Sequence, residues 1–469
     1  DVGFGELAQI RMGNGSFRLG QVVLTSEDAT LVQVFSGTSD LVPESTAVRF
    51  LGMPLEMKLS PSIIGRVFSG LGEPRDGCGP VYSSLSRDVN GSPLNPMARI
   101  YPRNFIQTGI SAIDVLATLI RGQKLPIFSG NGLPHNRLAV QIANQSQLVG
   151  EENFAVVFAG IGVKRDDAAY FMEELFEKGR AKNMVVFLNL ADDPVIERIA
   201  TPRFALTVGE YLAFELNMHV LVIMTDITNY CEALREVGVA KGEVPSRKGY
   251  PGYMYSDLAS LYERAGVLRG IQGSLTQIPI LTMPNDDITH PIPDLTGFIT
   301  EGQIVLSREL DSRGIYPPID VLASLSRLMK DGIGKGYTRE DHPNLASQLY
   351  ASYSRVQDVR ALASVIGEDE LSQIDISYMD FGKSFENTFI KQSYDEDRDI
   401  GESLDIGWKL LKMLPRSELT RVTVKEVEER LSRLGFTIPY YILYARCWCR
   451  KASNPCVVVR NMVLLCYNN

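Results

Sequence analysis

The stretch that decides the fold is Lys124–Gln141, which reads KLPIFSGNGLPHNRLAVQ. Its apolar run Leu125–Phe128 predicts a strand, and the glycine-rich segment after it predicts a short loop. Apolar residues at three- to four-residue spacing then predict a helix. A strand, a glycine-rich loop and a helix in this order are typical of a phosphate-binding P-loop. The sequence therefore predicts the scaffold of a nucleotide site here.

The loop itself lacks the groups that a working P-loop uses. Laid over the pattern G-x-x-x-x-G-K-[ST], its eight positions are Ser129, Gly130, Asn131, Gly132, Leu133, Pro134, His135 and Asn136. A proline has no N–H to donate to phosphate, and a neutral histidine lacks the charge of the P-loop lysine. An amide replaces the hydroxyl that binds Mg²⁺. The pattern predicts a degenerate site of weak nucleotide affinity, and an ordinary strand-to-helix turn is an equal alternative.

Composition narrows the class of protein. The chain has 469 residues, 45% hydrophobic and 22% charged, which suits a soluble globular protein of two or three domains. Its formal charge of −9 (47 basic and 56 acidic residues) disfavours a nucleic-acid partner. No apolar run reaches the ~18–20 residues of a membrane span, so we expect any membrane role to depend on partner subunits.

Four of the six cysteines crowd the end of the chain, at Cys447, Cys449, Cys456 and Cys466. Their spacing fits no common zinc pattern, and no histidine lies near them. We therefore expect scattered reduced thiols and no metal site.

Three segments of different pattern divide the chain, which predicts a multidomain α/β protein. Short alternating runs in residues 1–70 predict a small antiparallel β-barrel or sandwich. In residues 71–345 buried strands alternate with helical patterns, which predicts a doubly wound α/β domain. Residues 346–469 predict a C-terminal helical bundle, with the tail after about residue 423 left unassigned apart from a possible helix over Val424–Leu434.

Two strand ends bear on the chemistry of the predicted site. The strand His219–Thr225 ends in Asp226, and an acid at this place matches the Walker-B residue that holds Mg²⁺. Acids at strand ends are also common structural caps, so that alternative stays open. The strand Phe154–Ala159 leads to Val163, where a hydrolase would place a carboxylate to orient the attacking water. Valine cannot polarise water.

A third motif carries a family resemblance. Residues Pro317–Arg327 read PPIDVLASLSR, which resembles the signature P-P-I-D-x-x-x-S-x-S of the large head subunits of rotary ATPases. Four further stretches resemble one branch of that superfamily: Phe105–Asp114, Gly122–Phe128, Gly249–Glu263 and Pro291–Gly302. Over about residues 3–422 the chain is similar to the non-catalytic B subunits of A-type and V-type rotary ATPases.

The resemblance implies a fold, partners and a place in the cell. It implies a β-barrel, a RecA-like nucleotide-binding-type domain with a degenerate P-loop, and a helical domain. It also implies a hexameric ring with catalytic A subunits, contacts with a central and a peripheral stalk, and indirect attachment to a membrane sector that moves protons or sodium ions. The implied location is the cytoplasmic face of the cell membrane. No cofactor is expected to bind tightly, and ATP or ADP is expected only weakly or at the interface with the A subunit.

The resemblance also implies roles for individual residues. It places an arginine finger at Arg327, which would reach the phosphate bound in the A subunit, and makes Asp320, Ser324 and Ser326 an interface signature. Fingers of this kind accelerate phosphoryl transfer by ~10³–10⁵, or roughly 4–7 kcal/mol of barrier. Arg339 is the runner-up because it follows a glycine-rich stretch.

Two other functions compete with a non-catalytic ring subunit. A self-sufficient RecA-like ATPase should keep the P-loop lysine and an acid at the position of Val163, and it is disfavoured because neither is present. The remaining alternative is a weak nucleotide-sensing subunit of another hexameric motor, in which Gly130, Gly132 and nearby N–H groups still attract phosphate.

Overall fold

The computed structural model describes residues 2–147, 153–177 and 183–433. The four cysteines near the C-terminus and the rest of the apolar tail lie outside these ranges, so the thiol prediction stays a prediction. Among the described residues, Cys78 is an exposed free thiol and Cys231 a buried one.

The N-terminal segment forms an antiparallel sheet, as its alternating pattern predicts. Its strands are β1 Leu7–Arg11, β2 Phe17–Thr25, β3 Thr30–Val34 and β4 Ala47–Phe50, in the order β3-β2-β1-β4. Ala8, Ile10 and Val22 are buried on one side of it. This alternation of buried and exposed residues along a strand gives the sheet one apolar face.

The chain crosses into the central sheet before residue 70. Strand β5 (Glu56–Lys58) pairs with β7 (Ser86–Asp88), whereas β6 (Val67–Ser69) pairs in parallel with a strand of the central domain. The central sheet thus begins inside residues 1–70, the segment predicted as a β-barrel, because Val67 and Phe68 pack in the cores of the central domain.

The central domain is built on a ten-stranded, mostly parallel sheet. Its further strands are β8 Arg99–Ile100, β9 Ile127–Gly130, β10 Phe154–Val163, β11 Met184–Leu190, β12 His219–Thr225, β13 Gly266–Leu268, β14 Ser274–Met283, β15 Gly302–Leu306 and β16 Ile319–Ser326. The main order is β16-β15-β9-β14-β12-β10-β11-β6; off this path, β13 pairs with β14 and β8 pairs with β13. Strand β16 forms the edge and runs antiparallel to β15.

Helices cover both faces of this sheet, which confirms the doubly wound prediction. They are α1 Ser111–Leu116, α2 His135–Gln145, α3 Arg165–Met172, α4 Val195–Glu210, α5 Ile227–Ala240, α6 Met254–Tyr262, α7 Pro291–Ile299, α8 Arg308–Ser312 and α9 Met329–Gly332. Val156 and Phe158 of β10 enter one core cluster, and Val157 and Ala159 enter the other. Strands buried on both faces explain the continuous apolar runs in the sequence.

The helical prediction for residues after 345 is confirmed as far as the structure describes them, to residue 433. The helices are α10 His342–Ile366, α11 Gln373–Ser384, α12 Ile400–Leu411 and α13 Val424–Arg433, and Phe385–Ile390 continues α11 as a π-helical turn.

A buried carboxylate is among the groups that join the helical domain to the central domain. Glu386 is fully buried and accepts hydrogen bonds from Arg360 (2.7 and 3.1 Å), the Tyr353 hydroxyl (2.8 Å) and Arg313. Burial raises the pKa of Glu386, but the hydrogen bonds from Arg360, Arg313 and Tyr353 outweigh it and hold the pKa below 4.5.

We expect Glu386→Gln to destabilise the chain by about 1.5–3 kcal/mol at pH 7, because the buried carboxylate loses its charge-assisted hydrogen bonds to the partly exposed Arg360 and Arg313. The wild-type stabilisation is present above the unfolded pKa of 4.5 and is lost as the pH falls through the lower folded pKa, so the variants should converge in acid. Urea unfolding at several pH values measures this. Glu309→Gln, which breaks an exposed pair with the same Arg313, should cost at most about 0.5 kcal/mol.

Candidate functional site

The strand, loop and helix predicted around the degenerate P-loop are present. Strand β9 covers Ile127–Gly130, two residues later than the predicted Leu125–Phe128, and α2 begins at His135. The strand extends to Gly130 because Ser129 and Gly130 pair with Thr282 and Met283 of β14.

Backbone N–H groups of the loop donate to carbonyl groups of the same loop. The N–H of Leu133 donates to the Gly130 carbonyl (3.1 Å), and the N–H of His135 donates to the Leu133 carbonyl (2.9 Å). The His135 ring lies with Nδ1 3.1 Å from the buried Ser129 hydroxyl, so it turns back onto its own strand. With Pro134 at the N-cap and no N–H there, the loop offers few groups to a phosphate.

A neighbouring ion pair lies against the same loop. Arg308 donates to the Asn131 carbonyl (2.9 Å) and pairs with Asp286 (2.7 Å between Nε and Oδ2). The Asp286 carboxylate lies so close to Gly130 that a Cβ at that position would collide with it. The open end of the loop is therefore occupied by the chain's own side chains, and a carboxylate there repels phosphate.

Both candidate Mg²⁺ ligands serve the structure. The Asn136 Oδ1 accepts a hydrogen bond from the Thr225 hydroxyl (3.2 Å). The buried Asp226 caps α5 by accepting from the N–H of Thr228 (2.8 Å), and it also accepts from the N–H (3.2 Å) and hydroxyl of Thr282. A carboxylate that accepts from three donors of its own chain is a structural cap, which is the alternative that the sequence left open. These residues do not fit a magnesium–triphosphate complex.

Val163 is buried at 6% exposure and belongs to one of the two main core clusters. Just before it, the Gly162 N–H donates to Asn189 (3.0 Å). Apolar packing has taken the place where an acid would orient water, so this end of β10 offers no general base.

Beyond the loop, aromatic side chains line the outer side of α2. The Arg137 guanidinium lies 4.8 Å from the centre of the Tyr394 ring, and the Tyr316 ring lies 4.3 Å from that ring. The Tyr316 hydroxyl donates to Gln141 (2.9 Å). The arginine thus covers the aromatic face that would otherwise be open to a ligand.

The predicted signature residues shape the edge strand β16. Asp320 accepts from the N–H groups of Leu322 (3.0 Å) and Ala323 (3.2 Å). The Ser324 hydroxyl bridges the irregular pairing with β15, accepting from the Val305 N–H (3.0 Å). Ser326 donates to the Thr118 carbonyl (2.8 Å). Together they fix the path of the strand up to residue 327.

Arg327 follows β16 with its side chain exposed. Its N–H donates to the Glu301 carbonyl (2.9 Å), and its guanidinium makes a long contact with the Thr300 carbonyl (3.4 Å). Within the described ranges no carboxylate pairs with it. An exposed arginine with most of its five donors available is suited to bind an anion from outside the chain.

Arg339 lies in a different environment. It pairs with Asp341 (2.7 Å) and Asp405, and its side chain is only 20% exposed. Asp341 also accepts from the Trp408 indole (2.6 Å) and pairs with Arg430 (3.2 Å), so Arg339 is part of a network that holds α10 against α12 and α13. The structure favours Arg327 over Arg339 as the available cation.

Arg327 and the degenerate loop lie at opposite ends of the sheet. The loop follows the carboxyl end of β9, whereas Ser326 pairs with Gly302 at the start of β15, which runs parallel to β9. About five residues along the strands separate the level of Ser326 from the start of the loop, which corresponds to roughly 17 Å. Arg327 therefore cannot serve the loop of its own chain.

Sequence reasoning missed the group that supports Arg327. Lys124, whose side chain is 4% exposed, pairs with Glu301 (2.8 Å) and Glu263 (2.8 Å). The signal was a lysine directly before a buried strand, where an unpaired charge would be costly. Among the described residues no group of three or more His, Cys, Asp or Glu side chains could hold a metal ion.

The fold and the site define a subunit of the ATP synthase class: a β-sheet domain, a P-loop-type α/β domain and a helical domain in one chain. Family profiles match each part. They are the ATP synthase alpha/beta family beta-barrel domain (residues 1–52), its nucleotide-binding domain (109–326) and the C-terminal domain of V and A type ATP synthase (331–431). The predicted barrel, nucleotide-binding-type domain and helical domain are thereby confirmed.

Individual relatives show which branch of the ATP synthase family the chain resembles. The V-type ATP synthase beta chain of Thermotoga neapolitana is 63% identical over 428 residues, covering 91% of this chain and 93% of the relative. That of Halothermothrix orenii is 61% identical, covering 92% and 93%. A solved structure, the ATP synthase subunit NeqB from Nanoarcheaum equitans, matches with a TM-score of 0.72 at 42% identity, covering 87% and 100%. The chain belongs to the family of V-type ATP synthase beta chains.

The same comparisons confirm the family to which the sequence was found similar. No helix in the described part of this chain is both long enough and apolar enough to span a membrane.

Asp226→Ala should destabilise the chain by about 2–4 kcal/mol, because it removes a helix cap and leaves the buried Thr282 hydroxyl without its acceptor. Guanidinium unfolding of the purified chain measures the change. Ser372→Ala, which removes the N-cap of α11, should cost only about 1 kcal/mol. Equal costs in the two variants would contradict the assigned tertiary role of Asp226.

Proposed function

We propose that this chain is the non-catalytic, regulatory subunit of a V-type ATP synthase. In this proposal it alternates with catalytic A subunits in a hexameric ring and lends Arg327 to the ATP site of the neighbouring A subunit. Turnover in that ring would be coupled, through the central and peripheral stalks, to proton or sodium transport by a membrane sector. The ring would then lie at the cytoplasmic face of the membrane.

The observation that carries the proposal is the position of Arg327. It is exposed and unpaired with any carboxylate in the described chain, and it lies at the end of the sheet opposite to the loop. A cation held at a fixed edge, away from its own nucleotide-type loop, is useful only to another molecule. An arginine finger stabilises charge that develops on the transferred phosphoryl group, and its planar guanidinium suits that task.

The state of the loop supports the non-catalytic half of the proposal. Its Lys position holds a histidine that faces Ser129, its Mg²⁺ position holds an asparagine bound to Thr225, and Val163 replaces the base. Each change removes a separate requirement of phosphoryl transfer. The subunit would therefore regulate and complete the partner's site without turning over ATP itself.

Arg327→Ala should lower the ATP turnover of rings assembled with the catalytic subunit by about 10³-fold or more, because the transition-state charge loses its cation. Ring assembly should persist, since among the described residues the hydrogen bonds of Arg327 go only to backbone carbonyls. Steady-state hydrolysis and size-exclusion chromatography of the reconstituted complex measure both.

Two variants control this experiment. Arg327→Lys keeps the charge but not the planar fork, and should recover only part of the rate. Lys330→Ala removes an exposed cation on the adjacent α9 and should leave turnover unchanged. Near-normal turnover of the Arg327→Ala ring would reject the finger.

We also expect the purified chain to show no saturable ATP binding below about 1 mM, whether or not Mg²⁺ is present, which corresponds to less than about 4 kcal/mol of binding free energy. The reason is the internal use of the loop's donors and the Asp286 carboxylate beside it. Isothermal titration calorimetry measures this, with His135→Ala as the control. Micromolar binding abolished by that substitution would favour a nucleotide sensor instead.

A further inference from the structure

We propose that Lys124 is a positioning residue for Arg327: it holds the Glu301 carboxylate away from the Arg327 guanidinium and so keeps that guanidinium available to the partner. The inference rests on the proposed function of Arg327. It concerns a residue that lies before β9 and touches no part of the degenerate loop.

The segment that holds Arg327 in place is the pair Thr300–Glu301. The Arg327 N–H donates to the Glu301 carbonyl (2.9 Å), which also accepts from the Gln123 side chain (3.0 Å). The guanidinium contacts the Thr300 carbonyl (3.4 Å). The place of Arg327 therefore depends on where residues 300 and 301 lie.

Lys124 fixes this segment from both its backbone and its side chain. The Glu301 N–H donates to the Lys124 carbonyl (3.1 Å), and the Lys124 N–H donates to Glu301 Oε2 (2.9 Å). The ammonium Nζ lies 2.8 Å from Glu301 Oε1. Both carboxylate oxygens of Glu301 are thus occupied by one residue.

The ammonium also bridges to a second carboxylate. It lies 2.8 Å from Glu263 Oε1, and Arg99 lies 2.8 Å from Glu263 Oε2. Two cations and two carboxylates alternate in this network, so its charges balance. The Lys124 side chain is only 4% exposed, whereas Glu301 and Glu263 are 29% and 36% exposed, so burial strengthens the pairing at the ammonium and solvent reaches the carboxylates.

Charge explains why Lys124 matters to Arg327. Arg327 lies beside Glu301 in the sheet, since its N–H donates to the Glu301 carbonyl and Ser326 pairs with Gly302. Without the ammonium, the Glu301 carboxylate keeps its hydrogen bond from the Lys124 N–H and lacks a counter-charge, and we expect it to pair with Arg327, which is exposed and has no carboxylate partner in the described chain. An Arg327–Glu301 pair would neutralise the finger and turn it away from the partner.

The test is made in rings reconstituted with the catalytic subunit. Lys124→Met should lower kcat by about 10²-fold, the scale of a misplaced catalytic group, with little change in KM because ATP is held by the partner. Lys124→Met combined with Glu301→Gln should restore most of the lost kcat, since the released carboxylate is gone. Lys124→Gln provides the same comparison if the methionine variant does not assemble.

Two controls separate an effect of Lys124 on Arg327 from a general loss of structure. In an Arg327→Ala ring, Lys124→Met should cause no further loss of kcat. Arg203→Met breaks a buried ion pair with Asp257 elsewhere in the domain, and assembled rings that carry it should keep normal kcat.

The two proposals fail in different ways. If Arg327→Ala abolishes turnover while Lys124→Met does not, or if the double variant is as slow as the single one, the positioning role is wrong and the finger stands. If Arg327→Ala leaves turnover near normal, the finger is wrong and the positioning role falls with it.

Discussion

The antiparallel pairing of β16 with β15 is the constraint on which the rest of the structure depends. Every other strand along the main path of the sheet runs parallel, and the degenerate loop follows the carboxyl end of β9. Reversing the edge strand brings its last residues to the amino ends of its neighbours. Arg327 is thereby placed at the end of the sheet where the chain has no phosphate loop, and its charge faces outward.

The signature residues before Arg327 fix the path of the edge strand β16. Asp320, Ser324 and Ser326 form hydrogen bonds with backbone groups along an irregular edge strand and tie its end to Thr118. An edge strand has few partners to define its path, so side-chain hydrogen bonds must supply that definition. The rigidity of this edge is what a positioned guanidinium requires.

In and around the degenerate loop, the residues at nucleotide-site positions form internal hydrogen bonds or pack in the core. His135, Asn136 and Asp226 each bond to a side chain or backbone group nearby, and Val163 joins the core. None of these positions is left as an unsatisfied polar group, because an unpaired buried polar group is costly. The scaffold has the shape of a nucleotide-binding domain, and the side chains at its site positions stabilise the fold.

The sequence alone determined the three-part architecture, the strand–loop–helix of residues 124–141 and the missing P-loop groups, because periodicity and residue chemistry are local properties. It placed β9 two residues early because strand ends are set by pairing with β14, which is not local. The three-dimensional arrangement was needed to show that Asp226 caps α5 and that Arg339 is held in an ion-pair network. It was also needed to show that Lys124 pairs with Glu301, next to Arg327. These roles depend on partners far away in the chain, and a linear pattern carries no information about which charges meet in space.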